Sequence, residues 1–399
     1  MDFTVSEKMK VVLEMIREFM QKEIYPFEPQ FAFKRFKELW PEINRLRDKV
    51  KKMELWGPQI PKELGGMGLS LMDHALVSEE LGRSPLGHLI FGCQAPDAGN
   101  IEILHKYATP EQKEKYLLPL VRGEIRSCFS MTEPELAGSN PTDLATTAVR
   151  DGDYWVINGH KWYTSSADGS KFAIVMAITN PEANQYLRAS MIIVPTDTPG
   201  FNLVRNISVM GHAGEDYASH GEIMYQNCRV PYKNLLGPQG QGFVIAQERL
   251  GPGRIHHCMR WIGICHRAFE MMCKRSSERK VGGGKYLSEK QIIHGWIAEC
   301  RAEILAARLM ILYAAWKIET AGLYEAREEV SLIKFFVAPI MLKVIDRAIQ
   351  VHGGLGVADD TVLSFFYRME RASRIYDGPD EVHKVVVSKR ILRSYPTPK

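Results

Sequence analysis

The stretch ATTAVRDGDYWVINGHKWYTS, residues 145–165, has the texture of β-structure. Apolar and polar residues alternate, β-branched and aromatic residues are frequent, and Asp151-Gly152 is a typical hairpin turn. Three short apolar stretches lie further along the chain: KFAIVMAIT, ASMIIVPTDTPGF and GEIMYQNCRVPYKNLLG. Together these patterns predict a β-domain over residues 126–240.

Helical periodicity dominates on both sides of this block. Before it, SEKMKVVLEMIREFMQKEI repeats apolar residues at helical spacing with Ser6 as the predicted N-cap, and Thr109-Pro110 predicts another helix start. After it, four stretches predict long helices: GFVIAQERL, RIHHCMRWIGICHRAFEMMCKRSSERK, EKQIIHGWIAECRAEILAARLMILYAAWKIETAG and EEVSLIKFFVAPIMLKVIDRAIQVHG. The sequence therefore predicts an α+β fold with an N-terminal all-α domain (1–125), a middle β-barrel-like domain (126–240) and a C-terminal four-helix bundle (241–399).

Composition narrows the class of protein. The 399 residues are 45% hydrophobic and 25% charged, as in globular proteins, and a net charge of +4 does not favour a nucleic-acid binder. The seven cysteines form no C-x-x-C pair, which favours free thiols in a reducing compartment. Apolar runs are shorter than the roughly 20 residues of a membrane span. MDFTVSEKMK lacks a secretory apolar core and YPTPK is not a peroxisomal tripeptide, so we expect a cytoplasmic protein without a membrane span.

Glycine clusters and histidines do not predict a nucleotide loop or a metal site. KVGGGKY (280–286) and GPQGQG (237–242) lack the spacing of phosphate-binding motifs, and turns explain both. Adjacent helical residues such as His256 and His257 point about 100° apart, so the pair does not chelate one ion. No metal ligand is predicted.

Two segments suit a ligand, although each also has an ordinary explanation. CFSMTEPELAGSN (128–140) offers backbone N–H groups and the hydroxyls of Thr132 and Ser139, but a turn at a sheet edge explains it more simply. GHKWYTSSADG (159–169) places Tyr163 and Ser165 on one strand face, where an aromatic wall and a hydroxyl suit a flat ring. A half-buried strand explains this second pattern equally well.

In combination, the helix–sheet–helix order and the motifs MTEP, NGHKWYTS, IQVHGGLG and IYDGPDEVH resemble the acyl-CoA dehydrogenase family over essentially the whole chain. FGCQAPDAGN (91–100) and RLGPGRIHHCMR (249–260) are most similar to the branch that eukaryotes fuse to a kinase-like module, family members ten and eleven. The resemblance implies an FAD enzyme of fatty acid metabolism that acts on acyl-CoA, passes electrons to an electron-transfer flavoprotein and forms a dimer or homotetramer.

The resemblance also implies contacts for each ligand. Residues expected to contact FAD are Phe129, Met131, Thr132, Ser139, Tyr163, Ser165, Asp380 and Glu381, and residues expected to reach the FAD of a neighbouring subunit are Arg279, Gln291, Gln350, Gly353 and Gly354. Residues expected to line the acyl-CoA site are Ser139, Gly251, Pro252, Gly253, Arg254 and Gly378.

The implied reaction is α,β-dehydrogenation to enoyl-CoA, in which a carboxylate takes the α-proton and flavin N5 takes the β-hydrogen as hydride. Most family members carry this base as a Glu in a Tyr-Glu-Gly context, where this chain has Tyr376-Asp377-Gly378. Other members carry it before an Arg on the first long bundle helix, where this chain has Gly253. Asp377 is therefore the predicted base, ahead of Glu381.

Two features keep other functions open. Asp is shorter than Glu by one methylene, about 1.5 Å, which indicates an altered substrate or slow turnover of simple acyl-CoA thioesters. Nitroalkane oxidases resemble the same family and use an Asp base, so an oxidase is the first alternative, and a non-catalytic flavin-binding scaffold is the second. Arg254 in GPGR favours a CoA thioester.

Overall fold

The computed structural model describes residues 4–395, so residues 1–3 and 396–399, which contribute to both targeting predictions, lie outside the described residues. The helices are α1 (Glu7–Phe19), α2 (Glu28–Phe33), α3 (Phe36–Lys52), α4 (Leu71–Leu81), α5 (Gly87–Ile90), α6 (Asp97–Tyr107), α7 (Pro110–Gln112), α8 (Leu118–Val121), α9 (Gly242–Glu278), α10 (Gln291–Ala321), α11 (Arg327–His352), α12 (Gly354–Val357), α13 (Val362–Glu370) and α14 (Asp380–Leu392). The strands are β1 (Ser127–Ser130), β2 (Thr147–Asp151), β3 (Tyr154–Ser165), β4 (Phe172–Ile178), β5 (Ala189–Pro195), β6 (Phe201–Asn206), β7 (His220–Pro231) and β8 (Leu235–Leu236). This order of helices, sheet and helices confirms the predicted α+β class.

The structure contains the helix caps and the hairpin turn that the sequence predicted. The Ser6 hydroxyl accepts a hydrogen bond from the backbone N–H of Met9 and begins α1. Thr109 and Gln112 form a capping box around Pro110. Asp151 pairs with Tyr154 across the predicted hairpin turn.

The chain forms two compact units, which we name by their main elements. The sheet unit comprises residues 34–68 and 90–250, and the bundle unit comprises residues 4–33, 69–89 and 251–395. Each unit draws on separated parts of the chain. The predicted domain boundaries at 125 and 240 stay a prediction.

In the sheet unit, seven of the eight strands follow the order β6-β7-β3-β2-β4-β5-β8, and the eighth, β1, pairs in parallel with β4. Every residue of β4 is buried, as its continuous apolar sequence requires. One face of the sheet packs against helical residues such as Leu104 and Leu117, and the other face buries Trp155 and Tyr225. Both faces of the central strands are therefore covered.

In the bundle unit, α4 and α9 cross closely because glycine stands on both helices. A Cβ added to Gly82 would lie 2.3 Å from the Arg260 carbonyl oxygen, and one added to Gly263 would lie 2.1 Å from the Glu79 carbonyl oxygen. No side chain larger than hydrogen fits either position. Further along the chain, α11 packs against both α10 and α14.

The helix count after the sheet differs from the prediction. GFVIAQERL and RIHHCMRWIGIC belong to one continuous helix, α9, which passes through Gly251, Pro252 and Gly253. A proline inside a helix removes one N–H donor and crowds the preceding turn, so a helix often kinks or ends there. α9 nevertheless continues through Pro252. Gly251 lies close to Leu323, because an added Cβ would lie 2.5 Å from Leu323 Cδ2 and that side chain would have to shift. The four predicted stretches therefore correspond to three helices, α9, α10 and α11, and they did not include α12, α13 and α14.

Candidate active site

Asp377 lies in the turn that precedes α14, and its backbone is left-handed with φ 54°. A non-glycine residue in this region is uncommon, and it persists where the surrounding structure holds it in place. Gly378 follows with φ 98°. The turn is therefore a strained segment of the kind that clusters at functional sites.

Three side chains of the bundle unit hold the carbonyl groups of this turn. Arg254 Nε donates to the Asp377 carbonyl oxygen at 3.1 Å, and His383 Nε2 donates to the same oxygen at 3.1 Å. The buried Lys334 Nζ donates to the carbonyl oxygens of Ser373 at 2.6 Å and Gly378 at 3.2 Å. Burial lowers the pKa of the Arg254 guanidinium and of the Lys334 ammonium, while the nearby Asp377 carboxylate raises both.

The Asp377 carboxylate lies beside an imidazole. Its Oδ2 is 3.3 Å from His257 Nε2, and the side chains of Asp377 and His257 are 21% and 22% exposed. Burial lowers the pKa of His257 to about 4, although the Asp377 carboxylate opposes this shift. The imidazole is therefore neutral at pH 7, and the carboxylate keeps access to solvent.

Tyr376 anchors the residue before the candidate base. Its hydroxyl oxygen accepts hydrogen bonds from Arg260 Nη2 at 3.0 Å and from Trp261 Nε1 at 3.2 Å. Arg260 also pairs with the Glu370 carboxylate. Burial raises the pKa of the Tyr376 phenol, so it stays neutral and fixed.

The two acids after Pro379 begin α14, with Pro379 as the N-cap and Asp380 as the first helical residue. Acids in the first turn complement the helix dipole. Asp380 is buried and accepts from Arg374 Nε at 2.7 Å, whereas Glu381 is exposed. Gly251, Pro252 and Gly253 lie in α9 immediately before Arg254. A Cβ added to Gly253 would meet no atom within 4 Å, so the helix surface there is open.

In the sheet unit, hydrogen bonds bring the loop after β1 alongside β3. The backbone N–H of Trp162 donates to the Thr132 carbonyl oxygen at 3.1 Å, and the Thr132 hydroxyl donates to the Trp162 carbonyl oxygen at 2.9 Å. Lys161 Nζ donates to the Met131 carbonyl oxygen at 2.7 Å. The MTEP and NGHKWYTS motifs, distant in sequence, therefore adjoin one another.

Tyr163 and Ser165 occupy the irregular end of β3. The register shifts between Lys161 and Thr164, and Tyr163 has φ 48° with 47% of its surface exposed. The Ser165 hydroxyl lies 2.8 Å from His220 Nδ1, whose pKa is lowered by burial. An outward-facing aromatic ring beside hydroxyl groups fits the flat ring system of a flavin.

The remaining predicted contacts lie at or near the surface. In the sheet unit, Ser139 is exposed and the Phe129 ring lies 4.2 Å from the Arg249 guanidinium carbon. In the bundle unit the exposed predicted residues are Arg279, Gln291, Gln350, Gly353 and Gly354. An added Cβ at Gly353 or Gly354 would meet no atom within 4 Å.

Sequence reasoning missed the residues that surround the predicted base. His257, Lys334 and His383 all contact the turn, and none was a candidate site residue. A signal was present, because positions 254, 257 and 261 follow the i, i+3, i+7 spacing of one helix face. The histidine pair does diverge as predicted: His256 faces His74 at 3.9 Å between ring centroids, while His257 faces Asp377.

Comparison with known proteins identifies the class. The chain matches three family models, described as the acyl-CoA dehydrogenase N-terminal domain (residues 6–124), middle domain (residues 128–228) and C-terminal domain (residues 240–392). The chain belongs to the acyl-CoA dehydrogenase family. Membership confirms the predicted family, its oxidoreductase class and FAD as its cofactor.

Individual relatives refine the position within the family. Acyl-CoA dehydrogenase family member 11 of Gallus gallus is 44% identical over 97% of this chain, but the chain spans only 51% of that protein. Probable acyl-CoA dehydrogenase FadE2 of Mycobacterium tuberculosis is 44% identical, with 96% of this chain and 95% of that protein covered. Similarity to member 11 confirms the predicted branch.

Solved structures show the same fold. A solved structure from Mycobacterium abscessus, described as a putative acyl-CoA dehydrogenase, is 40% identical with a TM-score of 0.94, and the match covers 99% of this chain and 100% of that one. Butyryl-CoA dehydrogenase from Megasphaera elsdenii is 26% identical with a TM-score of 0.84, covering 98% and 100%. Among residues 4–395, none of the helices combines the length and the apolar character of a membrane span.

Proposed function

We propose that this protein dehydrogenates an acyl-CoA thioester to the enoyl-CoA, with Asp377 as the base that removes the α-proton. The observation that carries this proposal is the Asp377 turn. The backbone is held in a left-handed conformation by Arg254, His383 and Lys334, while the carboxylate stays partly exposed. Such a rigid support is what a positioned general base requires.

Some residues of the chain would bind the substrate, and Asp377 would remove its proton. The Asp377 carboxylate takes the proton from the thioester α-carbon, and the fixed turn determines its approach. The open surface at Gly253 and the adjoining residues Gly251, Pro252, Arg254 and Gly378 would receive the acyl-CoA. Ser139 stays a contact predicted from the sequence. Bound FAD supplies the acceptor for the β-hydrogen and its two electrons.

The cofactor contacts remain those that the motifs predict. Tyr163 would pack on the flavin ring, and the hydroxyls of Thr132 and Ser165 would bond to its edge. The other contacts within the subunit would be Phe129, Met131, Ser139, Asp380 and Glu381. The surface position of Arg279, Gln291, Gln350, Gly353 and Gly354 suits contact with the FAD of a second copy of the chain. We therefore propose a homo-oligomer, as a dimer or a homotetramer.

We also propose a metabolic role, an electron acceptor and a first set of substrates. An acyl-CoA dehydrogenase of this kind would serve fatty acid metabolism and pass electrons to an electron-transfer flavoprotein. The names of the solved neighbours, butyryl-CoA and glutaryl-CoA dehydrogenases, support short acyl-CoA thioesters as the first substrates to test. The cytoplasmic location remains a prediction from the sequence.

The test is an anaerobic titration of the FAD-loaded protein with acyl-CoA thioesters of several chain lengths, followed by flavin absorbance. The wild type should bleach with at least one thioester, and Asp377→Asn should not. Asp360→Asn is a suitable control, because Asp360 is an exposed carboxylate outside the site. It should bleach like the wild type.

Other outcomes would select other functions. Bleaching that survives in Asp377→Asn and is lost in Glu381→Gln would move the base to Glu381. Rapid oxygen consumption with nitroalkanes, without bleaching by thioesters, would indicate the oxidase instead. Bound FAD that responds to neither class of compound would indicate a flavin-binding scaffold.

A further inference from the structure

We propose that His160 is a positioning residue for the β1–β2 loop, and that it acts as an imidazolium whose two N–H groups tie this loop to the sheet. The β1–β2 loop, residues 131–146, carries Thr132 and Ser139. The tie itself is a matter of hydrogen-bond geometry. Its effect on cofactor binding rests on the proposed function, which places FAD contacts on this loop.

Both ring nitrogens of His160 meet a carboxylate. Nδ1 lies 2.7 Å from Glu135 Oε1 in the β1–β2 loop, and Nε2 lies 3.1 Å from Glu222 Oε1 in β7. A carboxylate only accepts hydrogen bonds, and a neutral imidazole has only one N–H to donate. The two contacts are therefore hydrogen bonds at the same time only when the ring carries two protons and a positive charge.

The strands of the sheet fix one end of this bridge. His160 in β3 pairs with Met224 in β7, so Glu222, two residues before Met224, is its diagonal neighbour on the same face. Glu222 Oε2 also accepts from Arg205 Nε in β6 at 2.7 Å. Glu222 is thus held by two neighbouring strands, and the contact of His160 with Glu135 transmits that fixed position to the loop.

The bridge holds a part of the loop whose other hydrogen bonds are local. Thr132 and Glu133 fix the two ends of the loop through hydrogen bonds to β3 and to the residues before β2. In the described chain, the hydrogen bonds of residues 136–144 stay within the loop. Loss of the contact between His160 and Glu135 should therefore free the segment that carries Ser139.

The bridge depends on pH because the ring must be charged. The ring faces Glu135 from the loop and Glu222 from β7, while Arg205 from β6 pairs with Glu222. The next residue of β3, Lys161, is buried on the other face. Partial burial lowers the pKa of His160, but the hydrogen bonds to the two carboxylates and their charges raise it more, so that the pKa lies above 6.5. The bridge is therefore complete below pH 6.5 and is lost as pH rises through the raised pKa.

The first experiment measures hydrogen exchange of the backbone N–H groups of residues 136–144 in the FAD-loaded protein between pH 6 and pH 9. Protection is taken relative to the intrinsic exchange rate at each pH. In the wild type it should fall about twofold to tenfold as the imidazolium loses its proton, the range that one hydrogen bond contributes. In His160→Arg, whose guanidinium stays charged, protection should remain high at every pH. In His160→Phe, which has no donor, it should be low at every pH.

Asp151→Asn is the matched control. It removes the surface ion pair between Asp151 and Arg229 on the same sheet, and no histidine takes part in that pair. The β1–β2 loop of this variant should follow the wild-type pH profile. Protection that ignores pH in the wild type, or that falls equally in His160→Arg, would overturn the proposal.

The second experiment follows the release of FAD by the fluorescence of the free flavin over the same pH range. Release should accelerate with pH more steeply in the wild type than in His160→Arg. If protection changes as expected and release does not, the bridge is supported and the predicted FAD contacts of the loop are contradicted. Neither measurement uses an acyl-CoA, so both results are independent of whether the protein acts on a thioester.

Discussion

The Asp377 turn leaves no room for a side chain at Gly378. Its φ is 98°, and an added Cβ would lie 2.7 Å from His383 Nε2. We expect Gly378→Ala to displace His383, to release the Asp377 carbonyl and to reduce the free energy of unfolding by about 1–3 kcal/mol. Activity should fall with it, and urea unfolding together with kcat would measure both effects.

Gly65 provides a control that has the backbone strain of Gly378 without its steric contact. Its φ is 88°, similar to that of Gly378, but an added Cβ would meet no atom within 4 Å. Gly65→Ala should therefore reduce the free energy of unfolding only by the backbone strain, about 1 kcal/mol, and leave kcat unchanged. Equal losses in the two variants would show that the contact with His383 is unimportant.

The histidines near α4 and α9 predict a stability that depends on pH. His74 is 2% exposed, neither ring nitrogen has a partner among the described residues, and burial lowers its pKa well below 6.5. As pH falls below 6.5 the unfolded chain binds a proton at this histidine and the folded chain does not. The contribution of neutral His74 to the free energy of unfolding is therefore complete above pH 6.5. Below pH 6.5 this contribution declines by about 1.4 kcal/mol per pH unit.

Replacing His74 by Leu removes this pH dependence. Between pH 7 and pH 5 the wild type should lose about 2 kcal/mol more free energy of unfolding than His74→Leu does. At pH 7 the variant should be at least as stable, because it no longer buries two unpaired nitrogens. Urea unfolding at both pH values tests this, and parallel losses in the two proteins would contradict it.

At the scale of elements, the sequence predicted what depends on local pattern. Periodicity, caps and the Asp151-Gly152 turn identified strands and helices, because these signals act within a few residues. Continuity of α9 through Gly251-Pro252-Gly253 was missed, since glycine and proline are local signals for the end of a helix and α9 nevertheless continues through them. Asp377 was predicted from a motif, whereas the contacts of Lys334 and His383 with its turn were not, because contacts between separate helices leave no local pattern.

The loop after β1 is attached to the sheet by a buried ion pair. Lys161 Nζ and Glu133 Oε1 are 2.7 Å apart, and their side chains are 0% and 2% exposed. Glu133 also accepts from the backbone N–H groups of Ala145 and Thr146. The pair therefore fixes the loop that carries Met131 and Thr132.

Breaking this pair from one side should cost more than removing it. We expect Glu133→Gln or Lys161→Met to reduce the free energy of unfolding by about 3–5 kcal/mol each, because each leaves a buried partner unpaired. The double variant should lose less than the sum of the two, as a double-mutant cycle would measure. Losses that simply add would mean that the two groups stabilise the loop independently.

At the scale of the whole molecule, the bundle unit is built from segments far apart in sequence. Glu79 of α4 accepts from Arg308 Nε of α10 at 2.8 Å, and Arg17 of α1 pairs with Glu80 at 2.6 Å. The Phe31 ring lies 5.0 Å from that of Phe365. A chain cut at the predicted boundaries of 125 and 240 would separate Glu79 from Arg308 and Phe31 from Phe365, while Arg17 and Glu80 would stay on one fragment.

A fragment of residues 241–399 should therefore not fold by itself, although it holds the longest helices. Without α1 and α4 it would expose the surface of α9 at Gly263, which meets the Glu79 backbone, and would leave the Arg308 guanidinium without its carboxylate. We expect aggregation on gel filtration and a weak helical signal in circular dichroism. Coexpression with residues 1–125 should restore soluble, helical protein, since that fragment supplies the missing segments. A monodisperse, helical fragment 241–399 in isolation would show instead that the C-terminal helices form a self-sufficient domain.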